Sequence, residues 1–137
     1  MIIREKDTFS KSFQLSEQQI NTFAECTTDR NPVHLDEDYA QNTIFKKRIA
    51  HGFLVGSFIS AVLGNDFPGQ GTIYLRQNMN FKKAVFIGDT ITVKVTVTAI
   101  TDKNWLELET LCMNQYDEVV ISGEALVIPP KETELIK

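Results

Sequence analysis

The sequence predicts an α+β fold in which a curved antiparallel sheet wraps around one long central helix. Three observations support this. Residues 52–63 are apolar on every side of a helix, so this helix must be buried. After Gly64 the apolar residues recur at every second position, which is typical of strands. The turns between these strands are short, which favours antiparallel neighbours.

The first two elements are predicted by local patterns. Apolar residues alternate with polar ones over residues 8–14, which predicts a strand. Ser16 follows, and Gln19 stands three positions later. This spacing is a capping box with Ser16 as the N-cap. We therefore expect a helix over residues 17–26.

A loop and a short helix come next. Residues 27–32 are rich in loop-forming types, and Pro32 disfavours helical backbone at the residue before it. The first helix must therefore end before this point. Asp36 is placed to cap a short helix that continues through Ala40.

The second half of the chain supplies the central helix and most of the sheet. Gly64 is placed to close the central helix as the residue just after its end. The four alternating segments that follow are predicted strands at residues 73–81, 91–99, 106–113 and 119–127. One face of this sheet must be buried, and the central helix is the element that can cover it.

Length and composition predict a single domain over residues 1–137. With 137 residues, the chain can bury about two-thirds of its unfolded surface. Its 42% hydrophobic and 23% charged residues are typical of a globular protein. Residues 129–137 form a short charged segment, and we expect them to be a frayed tail.

Charge and hydropathy argue against two classes of partner. The formal net charge is −4 with both signs interleaved, whereas nucleic-acid binding requires a basic excess on one face. The longest apolar stretch, residues 53–63, is far shorter than the roughly 20 residues of a membrane span. We therefore expect neither a nucleic acid nor a membrane as partner.

The two cysteines indicate the compartment. Cys26 and Cys112 have no metal-ligand spacing and are expected to be free thiols. The N-terminus has no apolar segment or cleavage site of a secretory signal. A reducing, cytoplasmic location is the expectation.

Two short segments carry residues suited to catalysis. Asp29 and His34 lie five positions apart, and a carboxylate and an imidazole held in one loop are the minimum equipment for general acid–base catalysis. Spacing alone favours the simpler alternative, in which Asp29 caps a turn and His34 is a surface histidine. His51 and Gly52 lead into the central helix, where free N–H groups can bind a developing negative charge. The alternative is that Gly52 is a packing or turn position.

Together these segments resemble a known family. Residues 23–34, FAECTTDRNPVH, resemble the hydratase-2 signature of the MaoC-like (R)-specific enoyl-CoA hydratases. Ala-His-Gly at residues 50–52 resembles the second characteristic element of that family. Residues 69–75 and 86–90 resemble its strand-entry and turn segments. The resemblance covers about residues 9–128.

This resemblance implies a fold, a reaction and partners. The family has the hot-dog fold, in which two subunits usually pair their sheets and the substrate lies along the interface. A homodimer and an acyl-CoA substrate are therefore expected. The implied reaction is the reversible syn hydration of a trans-2-enoyl-CoA to the (R)-3-hydroxyacyl-CoA, with acyl groups of short to medium length. We expect no cofactor and no metal, because the thioester carbonyl is already activating.

The resemblance also assigns residues. Asp29 and His34 would be the catalytic acid–base pair, and Asn31 would position that pair or its water. The Gly52 N–H would contact the thioester carbonyl. Ser57 would lie near the acyl group, although a helix-interior serine that bonds back to a carbonyl is an equal alternative.

Three neighbouring positions carry their own expectations. Thr28 stands where the family commonly has glycine, and it would be strained if the position requires a positive φ. His51 is expected to shape the loop through hydrogen bonds. Residues 46–48, Lys-Lys-Arg, are expected to form a solvated turn, with contact to the coenzyme A phosphates as the alternative.

Other activities remain as alternatives. A hot-dog acyl thioesterase or carrier-protein dehydratase commonly has a carboxylate on the central helix, and residues 53–65 contain no Asp or Glu. A non-catalytic acyl-CoA-binding module is the third alternative. Intact Asp29, Asn31 and His34 argue against it, because loss of catalysis usually removes such residues first.

Overall fold

A computed structural model describes all residues, 1–137, which form helices and strands of an α+β fold. Two strands and three helices precede the central helix, and five strands follow it. The elements in chain order are β1 (Ile2–Arg4), β2 (Thr8–Gln14), α1 (Glu17–Thr27), α2 (Pro32–Leu35), α3 (Glu37–Gln41), α4 (Gly52–Asn65), β3 (Ile73–Phe81), β4 (Thr90–Ile100), β5 (Leu106–Met113), β6 (Val119–Ile128) and β7 (Glu134–Ile136).

The main sheet has five antiparallel strands in the order β2-β4-β5-β6-β3. Its inner face is lined by the alternating apolar residues that predicted the strands. On β4 these are Ile91, Val93, Val95 and Val97, all at most 1% exposed. Helix α4 packs against β4 and β5, and its residues from Leu54 to Leu63 contribute much of the core. This confirms the predicted helix surrounded by a curved sheet, which is the hot-dog fold.

The N-terminal capping box forms as predicted. The Gln19 N–H donates to the Ser16 hydroxyl at 3.1 Å, and the Ser16 N–H donates to the Gln19 side-chain oxygen at 3.0 Å. Helix α1 then continues to Thr27. It ends at Thr28, whose φ of 68° is in the left-handed region. The strain expected for a threonine at this position is therefore present.

The prediction that Gly64 closes the central helix is wrong. Gly64 lies within α4, which continues to Asn65 and is capped at Asp66. The left-handed glycine comes later, at Gly69 with φ of +104°. The Gly69 N–H donates to the Leu63 carbonyl at 3.0 Å, so a residue beyond the helix supplies a donor to a carbonyl of its last turn.

The two chain ends form a small parallel sheet that the sequence pattern did not indicate. Strand β7 pairs with β1, and the Glu134 N–H donates to the Met1 carbonyl at 2.9 Å. Ile3 is fully buried, and Leu135 packs against the core. The structure therefore differs from the expected frayed tail. The reason is that each three-residue strand is too short to show a pattern and is ordered only by its distant partner.

One edge of the main sheet, strand β3, carries several exposed apolar side chains. Strand β3 has β6 on one side and no strand on the other. Ile73, Leu75 and Phe81 on this strand are 53%, 43% and 52% exposed, and Phe53 of α4 is 65% exposed beside them. An exposed apolar edge of this kind is suited to association. None of the helices has the length and apolar character needed to cross a bilayer.

Candidate active site

The start of α4, the loop after α1 and the end of β3 enclose a cavity of about 470 Å³. Most of its lining is apolar, and it includes Phe53, Phe81 and Val85. Asp29 and His34, two of the predicted site residues, contribute polar groups to this lining together with His51. A mostly apolar cavity with a few convergent polar groups is typical of a small-molecule site.

His34 is held in one ring orientation. It lies on α2 and is 8% exposed. Its Nδ1 lies 2.7 Å from the Ile49 carbonyl oxygen, which can only accept a hydrogen bond. Nδ1 must therefore carry the proton, and Nε2 of the neutral ring is left with a free lone pair. His34 thus offers a hydrogen-bond acceptor at Nε2.

Burial sets the charge state of His34. Loss of solvent lowers the pKa of His34 below its ordinary value, and the nearby His51 lowers it further. The Ile49 carbonyl and the Asp29 carboxylate act in the opposite direction but do not reverse the shift. The ring is therefore neutral at pH 7, in the form that can accept a proton.

Asp29 is exposed and lies in the loop between α1 and α2. Its side-chain Oδ1 accepts from the Asn31 N–H at 3.3 Å. Its backbone carbonyl accepts from His51 Nε2 at 3.0 Å. The loop-shaping hydrogen bond expected of His51 is thus present, and it holds the backbone that carries the carboxylate.

His51 is 2% exposed and stacks on His34 with ring centroids 3.9 Å apart. Because its Nε2 donates to the Asp29 carbonyl, its Nδ1 is an acceptor in the neutral ring. This buried Nδ1 has no hydrogen-bond partner. Phe23 of α1 packs against the same ring at 4.8 Å. His51 is therefore a supporting group behind His34 and Asp29.

The three polar groups do not fit a metal ion despite their proximity. Asp29, His34 and His51 each offer an atom within 4.8 Å of the others. However, the two imidazole planes are stacked at 28°, and ring lone pairs lie in the ring planes. Lone pairs in ring planes this close to parallel do not converge on one ion at bonding distance.

The first turn of α4 presents free backbone donors to the cavity. The N-cap is His51, which makes no side-chain capping bond. The N–H groups of Gly52 and Phe53 have no acceptor in the chain. At the N-terminus of a 14-residue helix, such groups favour negative charge. A Cβ on Gly52 would lie 2.6 Å from the Phe81 ring, so any larger residue at this position must displace that ring.

Two predicted substrate-binding residues lie outside the cavity lining. The Asn31 side chain caps α2 by accepting from the Val33 N–H at 3.3 Å. Ser57 donates to the Leu54 carbonyl at 2.5 Å, which is the alternative of a serine bonding back within its helix. Ser57 faces a separate groove between α4 and β3, lined also by Tyr74 and Met79.

Some residues at the site were not predicted. Lys82 and Lys83 follow β3 and stand at the cavity, although nothing in their local pattern indicated this. The expectation of a solvated turn at residues 46–48 is wrong for Arg48, which is only 7% exposed. Its guanidinium contacts the backbone of His34 and side chains of α1. Lys46 and Lys47 are exposed, as expected.

The fold and cavity together define a hot-dog protein with a carboxylate–histidine pair at the start of its central helix. The family described as "MaoC like domain" matches residues 2–118. The chain belongs to this MaoC-like family.

Named relatives agree with this family. The "(R)-specific enoyl-CoA hydratase" of Rhodospirillum rubrum is 48% identical over 93% of this chain and 89% of its own length. The "3-hydroxybutyryl-CoA dehydratase" of Methylorubrum extorquens is 46% identical over 88% of this chain and 77% of its own length. The unliganded structure of the R-hydratase PhaJ1 from Pseudomonas aeruginosa superposes with a TM-score of 0.91, at 39% identity, over 95% of this chain and 84% of that one.

Proposed function

We propose that this protein is an (R)-specific enoyl-CoA hydratase, a hydro-lyase that adds water reversibly to trans-2-enoyl-CoA and forms (R)-3-hydroxyacyl-CoA. The observation that carries the proposal is that the Asp29 carboxylate and the His34 ring offer atoms within 4.8 Å of each other beside the start of α4, where Nε2 of His34 is free to accept a proton. The named relatives support the same reaction and its (R) stereochemistry.

The two side chains are suited to hold one water. Two hydrogen bonds from a single water reach acceptors about 4.5 Å apart, and Asp29 and His34 offer atoms within 4.8 Å of each other. With both hydrogens directed to these acceptors, a lone pair on the water oxygen faces C3 of the enoyl group. The acceptors thus orient the attacking atom.

Proton transfer accompanies the addition. As the water oxygen bonds to C3, one of its protons passes to the Asp29–His34 pair, which acts as general base. The C2–C3 π electrons move to C2 and the thioester carbonyl. The same pair then returns a proton to C2, so that the enzyme is unchanged and one water has been added. Delivery from one side gives syn addition.

The start of α4 is suited to stabilise the charge that develops during the reaction. Negative charge grows on the carbonyl oxygen of the thioester as the water oxygen attacks C3. The free N–H groups of Gly52 and Phe53 are the donors that can meet it. Removal of such a donor typically costs about 10²–10³-fold in turnover. In this proposal, Gly52 acts in catalysis through its backbone N–H, which donates to the carbonyl oxygen of the thioester.

A homodimer through the edge of β3 belongs to the same proposal. The exposed residues Ile73, Leu75, Phe81 and Phe53 place apolar side chains along this edge, beside the groove that contains Ser57. Pairing of two such edges would cover the apolar side chains and extend the groove. Light scattering that detects only an active 15.5 kDa monomer would remove this part of the proposal.

A spectroscopic assay with crotonyl-CoA tests the reaction. Hydration removes the conjugated enoyl absorbance without release of thiol, whereas a thioesterase releases a thiol that a colour reagent detects. We expect loss of absorbance with no thiol and an (R) product by chiral analysis. A series of longer enoyl-CoA substrates tests the proposed short- to medium-chain range. Turnover only of carrier-protein-linked substrates would favour the dehydratase alternative.

A further inference from the structure

Arg48 is a buried cation that lies behind His34, outside the lining of the cavity. It lies between α3 and α4 and is 7% exposed. Its Nε donates to the His34 carbonyl at 2.7 Å, and its Nη2 donates to the Asn21 side-chain oxygen at 3.1 Å. Its Nη1 stands 3.6 Å from a carboxylate oxygen of Glu17. The guanidinium therefore ties the backbone of His34 to helix α1.

Ile49, the residue after Arg48, binds the side-chain ring of His34. The Ile49 carbonyl accepts from the His34 ring at Nδ1, and the Ile49 N–H donates to the Val33 carbonyl at 3.2 Å. Residues 48 and 49 therefore hydrogen-bond to His34 at two points: Arg48 to its backbone carbonyl and Ile49 to its ring. A side chain fixed at both points has little freedom to move its Nε2.

The short helix that carries His34 needs this support. Helix α2 has only four residues, and a helix of this length is not stable by itself. Asn31 caps its N-terminus, but the carbonyls of Val33 and His34 find their hydrogen-bond donors outside the helix. Arg48 supplies a charged donor to one of them, and a cation at a helix C-terminus is favourable.

We infer that Arg48 is a positioning residue that holds the backbone of His34 and so fixes the direction of its Nε2 toward the reacting water. This inference rests on the proposed function for the role of His34. The contacts of Arg48 themselves do not depend on the reaction. Arg48 does not line the cavity that contains Asp29 and His34, so it acts only through His34.

Two substitutions separate positioning from general stability. Arg48→Met keeps much of the side-chain volume and removes all donors. Arg48→Lys keeps the charge but lacks the Nε donor. We expect kcat on crotonyl-CoA to fall by about 10–10²-fold in Arg48→Met, the scale of a small misplacement of a catalytic group. We expect a smaller loss in Arg48→Lys, and a change in KM of less than about three-fold in both.

The titration of His34 gives a readout that does not depend on the reaction. The chain has two histidines, so the His34 ring resonances can be assigned with the His34→Gln variant. The groups that face the ring are Asp29 and His51. When Arg48 is replaced, looser packing admits water, and the pKa of His34 is expected to rise toward its ordinary value.

Ile100→Ala is the matched control, because Ile100 is 8% exposed in the core and does not line the cavity. It should lower the melting temperature while leaving kcat and the His34 titration unchanged. A folded Arg48→Met variant with wild-type kcat and His34 titration would overturn the inference. So would failure of both Arg48 variants to fold, which would make Arg48 a structural residue. A wild-type protein inactive on every enoyl thioester would instead refute the proposed function, while the titration still tests Arg48.

Discussion

Replacement of Asp29 and His34, singly and together, tests whether they act on one water. Asp29→Asn keeps the size and hydrogen bonding of the side chain but removes the base. His34→Gln can still donate to the Ile49 carbonyl, yet it offers no lone pair that exchanges a proton near neutral pH. Each single variant should lose about 10²–10⁴-fold in kcat, the usual range for a positioned acid or base.

The size of the double-variant effect follows from the geometry. If the residues acted independently, their losses would multiply to about 10⁴–10⁸-fold. Because Asp29 and His34 offer atoms within 4.8 Å of each other, one water can contact both, and loss of either disables the shared step. The double variant should therefore resemble the slower single variant.

The assay is the loss of enoyl absorbance with crotonyl-CoA, with circular dichroism to check folding. KM should change little, because neither residue is placed to hold the coenzyme A group. Activity of the wild type should fall as the pH drops through the pKa of His34, below its ordinary value of 6.5, because Nε2 must be unprotonated. Fully multiplicative losses, or near-normal kcat in either single variant, would contradict the shared-water mechanism.

Four further predictions concern the left-handed Thr28, the two cysteines, the pH dependence of stability and the start of α4. Thr28→Gly should raise the free energy of unfolding in urea by up to about 1 kcal/mol, because it relieves a left-handed threonine at some entropic cost; a loss of stability would contradict the strain. A thiol reagent should label Cys26 but not Cys112 in the native protein, because Cys112 is buried and its pKa is raised to about 12; labelling of both would refute this. Stability should decline as the pH falls below about 6.5, because the unfolded state binds a proton that buried His34 resists; urea midpoints that stay constant from pH 7 to pH 5 would disprove it. Gly52→Val should lower kcat by about 10²-fold or more while the chain still folds, because the exposed Phe81 ring can move aside; a normal kcat would show that this N–H is not the contact.

The parts of the fold that were predictable are those determined by neighbours in sequence. The capping box of Ser16 and Gln19 satisfies the start of α1 with two local hydrogen bonds, so the four residues 16–19 were sufficient to locate it. The five longer strands were predictable because alternation over seven or more residues indicates which face of a strand is buried. The prediction that Gly64 ends the central helix failed because a glycine near a helix end does not always terminate it. Gly69, five residues later, provides the terminating hydrogen bond instead.

The site was only partly predictable for the same reason. Asp29 and His34 are close in sequence, so their pairing across one loop was visible. The burial of Arg48 was not, because residues 46–48 look like a solvated basic turn until helix α1 brings Asn21 against them. The stacking of His51 on His34 likewise depends on the path of the chain between them.

Phe81 belongs to two parts of the molecule at once. Its ring lines the cavity and packs against Gly52, yet half of it is exposed on the β3 edge. If that edge joins a second subunit, the partner fixes the same ring that borders the start of α4. Specific activity would then depend on protein concentration. Dilution below the dissociation constant of the dimer would lower turnover per subunit before any unfolding occurs, and a chemical crosslink across the edge would restore it.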